Sequence, residues 1–166
     1  MKRLWMGVGA LGMLAVFFYF YPFHSVLQIT NVKTGRVLFC AKMAEGEEFI
    51  LSFVHSVNQR PVYDTIRVEG THFLIVKSRF DSFGAGMPDV STEGMKLAFG
   101  KDGWLEWMVN RPVPEVTFFV GWVAKHSLRL KEKDMALADV AEPGTLLALR
   151  IERASHYELG KGRCAQ

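Results

Sequence analysis

Two kinds of hydrophobic pattern divide the chain. From Leu4 to Phe23 the sequence "LWMGVGALGMLAVFFYFYPF" runs 20 residues without a charge. A helix of that length rises about 30 Å, the thickness of a bilayer's hydrocarbon core. Trp5 stands at one end and Tyr19 and Tyr21 at the other, where interfacial aromatics belong. Beyond Phe23 apolar and polar positions alternate every second residue. That period predicts strands over 26–32, 36–43, 48–57, 62–69, 72–80, 94–100, 104–110, 116–130 and 145–153. The stretches "KTG", "NQRP", "VEGT", "GKDG", "RPVP" and "AEPG" supply the turns. The implied fold class is all-β, a single antiparallel sandwich or barrel-like domain over 26–154. One N-terminal transmembrane helix within 1–25 precedes it, and a polar tail over 155–166 follows.

Two hairpins can be registered from the pattern. With Asn58–Pro61 as a four-residue loop, Val57 faces Val62, His55 faces Asp64, Phe53 faces Ile66 and Leu51 faces Val68. One face is then apolar except for a His–Asp pair, and a slip by one residue destroys that pattern. With a loop Lys101-Asp102-Gly103, Phe99 faces Leu105, Leu97 faces Trp107 and Met95 faces Val109. Gly103 takes the left-handed position of such loops. An unbroken strand over 116–130 places Phe118, Trp122, His126 and Leu128 on one face, so His126 also points into an apolar surface.

Charge changes the picture little. The formal net charge is +3, and Lys2 and Arg3 account for two of the 20 basic residues, leaving 18 against 17 acidic. That balance is no footprint for nucleic acid. Lys2 and Arg3 hold the short N-terminus in the cytoplasm and send the rest across the membrane. The segment reads as an uncleaved signal anchor rather than a cleaved signal peptide, because "YFYPFHSVLQ" has no small-residue cleavage site. Cys40 and Cys164 then meet an oxidising compartment. Their positions, one in a strand and one in the polar tail, argue against pairing.

Three side chains carry candidate chemistry. His55, Asp64 and His126 would make a two-histidine, one-carboxylate metal set if they converged. They lack the short-range spacing of a metal motif, so the plainer expectation is a buried structural bond between His55 and Asp64. The second unusual stretch is "SFGAGMP", 82–88, where Gly84 and Gly86 permit conformations closed to other residues and Pro88 stops a strand. Such a loop serves either a close-approaching partner or a tight crossover. Ser56 and Ser127 each follow a histidine, but neighbours in a strand point to opposite faces, and there is no G-x-S-x-G elbow. No catalytic residue and no cofactor is expected. Trp104 faces outward in the second hairpin and is a candidate contact residue.

"FVHSV", "PVYD" and "FGAGMP" together resemble a family of small bacterial proteins with a His-Ser-Val, Pro-Val-x-Asp and Gly-Ala-Gly-x-Pro pattern. His55, Ser56, Pro61, Asp64, Gly84, Ala85, Gly86 and Pro88 match it, and the resemblance spans roughly 26–153. Members are typically encoded beside the fused permease of TAXI-type TRAP (tripartite ATP-independent periplasmic) transporters. The resemblance implies that genomic company and no known activity. With the small residues Gly7, Gly9, Gly12 and Ala15 of the anchor and a domain without an evident active site, the expectation is a non-enzymatic accessory subunit of such a transporter, anchored in the bacterial inner membrane with its C-terminal domain in the periplasm. Its expected partners are the TRAP permease, its solute-binding protein, or both. Phe83, Gly84, Ala85, Gly86, Met87, Pro88 and Trp104 are the expected contact residues. The alternative is a periplasmic β domain that binds a small anionic ligand or a metal through His55, Asp64 and His126.

Overall fold

The computed structural model describes residues 2–84, 86–88, 96–161 and 164, without the side chains of residues 2–8 and 10. Helix α1 (Lys2–Phe20) leads into strands β1 (His24–Asn31), β2 (Val37–Met43), β3 (Glu48–Val54), β4 (Pro61–Glu69) and β5 (His72–Phe80). Then follow β6 (Lys96–Phe99), β7 (Leu105–Val113), β8 (Val116–Phe119), β9 (Ser127–Leu130), β10 (Lys133–Ala136), β11 (Leu146–Ala154) and a short helix α2 (His156–Gly160). The strands form two antiparallel sheets, one ordered β2-β1-β11-β8 and the other β10-β9-β3-β4-β5-β7-β6.

Alternation explains why the sheets pack. Leu27, Ile29, Leu149 and Ile151 from the smaller sheet meet Phe49, Leu51, Ile66, Val68, Phe73 and Leu128 from the larger one in a single buried core. Removing such large side chains from water is the main stabilising term. A second cluster of Val62, Phe80 and Leu105 fills the inner face of the larger sheet further out, with Phe53, Met87, Leu97 and Trp107 around it.

The second hairpin keeps its expected register, with Phe99 opposite Leu105, Leu97 opposite Trp107, and Gly103 at φ +83°. The first does not. Val54 pairs with Pro61, Phe53 with Val62 and Leu51 with Asp64. The ladder stops at Val54, and residues 55–60 form a longer loop closed by His55 N–H to Arg60 O at 2.9 Å and Gln59 N–H to His55 O at 2.8 Å. His55 and Asp64 are therefore not cross-strand partners. The displacement is even, so the side chains that remain in the ladder keep the faces that alternation assigned them, while Val57 moves into the loop and is exposed.

Three further expectations are corrected. The stretch 116–130 is two strands in different sheets, β8 and β9, joined by a crossover. Residues 133–136, where no strand is expected from the sequence, form β10 after a turn in which Lys131 and Glu132 have positive φ. The supposed polar tail carries α2, started by a reciprocal capping box between Ser155 and Glu158, and Cys164 is joined to Cys40 by a disulfide. That bond is buried against Val26, Ala154 and Leu159.

Helix α1 forms where the uncharged run predicts, and every described side chain from Leu11 to Phe20 is exposed. Among the described residues, no helix is long and apolar enough to cross a membrane. The helix enters the smaller sheet at the end where His24 pairs with Ala154, opposite the end where Leu146 pairs with Phe119.

Candidate functional site

Register brings four loops to one end of the larger sheet. The pairs Val54–Pro61, Val62–Phe80, Phe80–Leu105 and Phe99–Leu105 are terminal there, so loops 55–60, 81–88 and 100–104 emerge together. The crossover 120–126 joins them through Val54 N–H to Ala124 O at 2.7 Å.

Two of these loops interlock, and they carry the two unusual sequence stretches. Arg60 makes a two-point ion pair with Asp81. The Asn58 amide donates toward the carbonyl and hydroxyl of Ser82, both at 3.4 Å. A Cβ on Gly84 would lie 2.7 Å from Asn58 Cγ, and one on Gly86 would lie 3.1 Å from His55 Cε1. Gly86 also has φ +83°, a conformation that favours glycine. The glycines are there because two side chains of the neighbouring loop occupy the space. His55 Nδ1 accepts the Asn58 backbone N–H at 3.2 Å, which leaves the proton of a neutral ring on Nε2, the edge nearest Gly86. The histidine is a half-buried brace of the loop pair.

Asp64 sits elsewhere. It faces Leu51 on one side and Ser78 on the other, and accepts the Ser78 hydroxyl at 2.5 Å. Burial raises its carboxyl above the ordinary value, and the Ser78 bond opposes that only in part. Ser78 in turn faces Trp107, whose Nε1 is a buried donor without a hydrogen-bond partner among the described residues. Leu51, Asp64, Ser78, Trp107 and Leu97 thus make one row across the inner face, with a polar centre in apolar surroundings. The row lies three residues inward from Val54–Pro61 and two from the other terminal pairs. His55, one residue beyond Val54, is therefore about four residue rises from Asp64, roughly 13 Å along the sheet.

His126 precedes β9 rather than lying in a long strand. Its ring stacks on Phe118 at 4.6 Å and tilts against Phe53 at 5.8 Å, and its Nδ1 accepts the Gly121 N–H at 3.3 Å. Burial lowers its pKa. Among the described residues no three of His, Cys, Asp and Glu form a group that could hold a metal, so the trio His55, Asp64 and His126 does not assemble into one.

The expected contact residues divide. Phe83 is exposed and touches exposed Phe99 edge-on at 6.5 Å, while Met87 packs on the second cluster. Gly84 and Gly86 are exposed, Pro88 is half-buried, and Ala85 lies outside the described residues. Trp104 is on the outer face of the sheet, 5.6 Å from Tyr63 and beneath the Arg79 guanidinium at 5.5 Å, lining a groove of about 610 Å³. The groove's cations are held by carboxylates: Arg79 by Asp102 and Glu106, Lys77 by Glu106, Arg129 by Asp134.

The sequence reading gave no role to Asn58 and Arg60 in the "NQRP" turn, or to Asp81 and Ser82 at the start of the glycine loop, because no local pattern marks a bond between two loops. It missed the exposed apolar residues of the same end as well. Val57 is 67% exposed, Phe99 72% and Trp122 80%, and Val123 stands beside them. Large side chains so gathered on the loops of one end are what a partner surface presents.

No curated protein matches the chain, and no solved structure does. Residues 49–137, from the start of β3 to the end of β10, match the family described as a domain of unknown function (DUF1850). They include both interlocked loops and more than half of the chain, which therefore belongs to the DUF1850 family.

Proposed function

We propose that this protein is a membrane-anchored, non-catalytic accessory subunit of a TAXI-type TRAP solute transporter, with its β domain in the periplasm. The carrying observation is the position of the interlocked loops, ringed by exposed Val57, Phe83, Phe99 and Trp122 at the end of the fold remote from α1. With α1 in the inner membrane, that end stands further out, by at most about 23 Å for a seven-residue strand. A surface at that height suits the extracytoplasmic solute-binding protein better than the buried faces of the permease. The Cys40–Cys164 disulfide supports an oxidising compartment, and the exposed apolar helix supports insertion in lipid.

The test is capture of the solute-binding protein and permease by tagged full-length protein in detergent, together with solute uptake in a deletion strain. Co-purification and reduced uptake are expected. Undiminished uptake without co-purification defeats the proposal. Topology is read separately with C-terminal reporters: active alkaline phosphatase is expected, and fluorescence from a cytoplasm-only reporter contradicts the anchor.

A second reading, a domain that binds a small anionic ligand, draws on the groove beside Arg79, Lys77 and Trp104. Its cations already hold carboxylates, which weakens it. A rise in melting temperature with a carboxylate panel would favour it.

A further inference from the structure

The junction of α1 and the β domain contains a cavity of about 470 Å³. Phe20 and Pro22 form its apolar side, and Arg153, Ser155, Tyr157, Glu158 and Lys161 its polar side. Arg60, Arg67, Arg79, Arg129 and Arg150 are each held by a carboxylate, whereas among the described residues Arg36, Arg111 and Arg153 are not. Arg153 and Lys161 have no ion-pair partner among the described residues. Arg153 Nη1 reaches only the Phe23 carbonyl at 3.4 Å, and Lys161 Nζ lies over the Tyr157 ring at 4.3 Å. Glu158, the carboxylate in the cavity's lining, is turned to the helix cap, where it accepts the Ser155 N–H at 2.8 Å and hydroxyl at 3.0 Å.

The other half of the pattern is apolar. Tyr157 packs on Phe20 at 5.1 Å and Tyr19 at 6.1 Å, so the cation pair is fixed against the last turn of α1. Leu14, Phe17 and Phe18 continue the exposed apolar surface up the helix. Two cations, a tyrosine hydroxyl and an adjoining apolar helix match one kind of molecule, which is charged at one end and greasy at the other. The geometry points to a binding site for an anionic phospholipid: its phosphate lies between Arg153 and Lys161, and its acyl chains lie along α1. A guanidinium and an ammonium both suit a phosphate, and a low-dielectric boundary strengthens the attraction. The site fixes the height of the domain over the membrane and so aims the loop end at its partner. This inference rests on α1 being in lipid.

The experiment uses full-length protein reconstituted into phosphatidylcholine vesicles and, in parallel, titrated in detergent with phosphatidylglycerol or phosphatidylcholine while bound lipid is counted by native mass spectrometry. Wild type is expected to float with the vesicles and to retain phosphatidylglycerol preferentially. Arg153→Gln and Lys161→Gln are each expected to weaken that retention about fivefold, the effect of one charge near a membrane surface. Melting temperature and intact disulfide serve as the fold controls. Protein that does not float refutes the membrane reading beneath the inference. Protein that floats but binds both lipids equally, or whose Gln variants retain phosphatidylglycerol unchanged, refutes the lipid site alone. Saturation by glycerol phosphate at the same concentration as phosphatidylglycerol overturns the lipid assignment in favour of a free phosphate site.

Discussion

Gly86 stands where a Cβ would come within 3.1 Å of the His55 ring, and its φ of +83° is one that side chains avoid. Gly86→Ala meets both obstacles, and the ring can yield only by giving up the Asn58 N–H that its Nδ1 accepts. The expected loss is about 1–2 kcal/mol, from backbone strain plus one weakened bond. Gly84→Ala has no positive φ to overcome and displaces only the Asn58 side-chain amide, so it is expected to cost less. Chemical denaturation of both variants checks the order, and an unchanged Gly86→Ala midpoint would show that the two loops are not braced together.

Asp64 and His126 set opposite pH dependences. Asp64 has a raised folded-state pKa, so its contribution is fully present below its unfolded value of 3.8 and is lost as pH rises through the folded pKa. Asp64→Asn keeps an acceptor for Ser78 and removes the ionisable group, so it is expected to stabilise the fold at neutral pH and to change little below pH 3.8. His126 has a lowered pKa, so its contribution is present above 6.5 and is lost as pH falls through the folded value. His126→Gln should remove that loss. Melting temperatures across pH 3 to 8, roughly the span of the two unperturbed values, separate the effects. A destabilised Asp64→Asn at pH 7 would mean that the carboxylate is held by a charge partner.

How much of this was legible in the sequence follows from what alternation encodes. It encodes faces, so Leu51, Phe53, Val62, Ile66 and Val68 are inward as expected. It does not encode where a ladder ends, so an even shift moved Asp64 from His55 to Leu51 at no cost in pattern. Alternation also continues across a chain that changes sheet, which made 116–130 look like one strand. The turn at Lys131-Glu132 adopts positive φ without Gly or Asn, so β10 had no turn signal before it. The loop–loop brace and the disulfide join residues far apart in sequence, and no local pattern specifies either.

The disulfide gives a third prediction. Cys40 and Cys164 are 124 residues apart, so the bond restricts most of the unfolded chain and also pins α2 to the smaller sheet. Cys40→Ser with Cys164→Ser is expected to cost about 2–4 kcal/mol. Thiol alkylation with mass spectrometry should find no free cysteine in freshly isolated native protein. Two alkylated thiols there would contradict the bond and remove its support for the proposed oxidising compartment.

The last prediction separates stability from partner binding at the loop end. Trp122 is 80% exposed and Phe83 48%, so neither contributes much to the core. Replacing both with serine removes little buried area and is expected to change folding stability by less than about 0.5 kcal/mol per site. Exposed aromatics near the centre of an interface commonly carry 2 kcal/mol or more, about a thirtyfold loss of affinity each. Phe83→Ser and Trp122→Ser together should therefore leave the melting temperature in place and abolish capture of the solute-binding protein. Arg153→Gln, at the opposite end of the smaller sheet, should leave that capture intact in detergent, where no bilayer sets the domain's height. If the double serine variant captures its partner as wild type does, the apolar loop end is not the contact surface. If Arg153→Gln alone abolishes capture, the partner binds at the base of α1, and the permease becomes its better candidate.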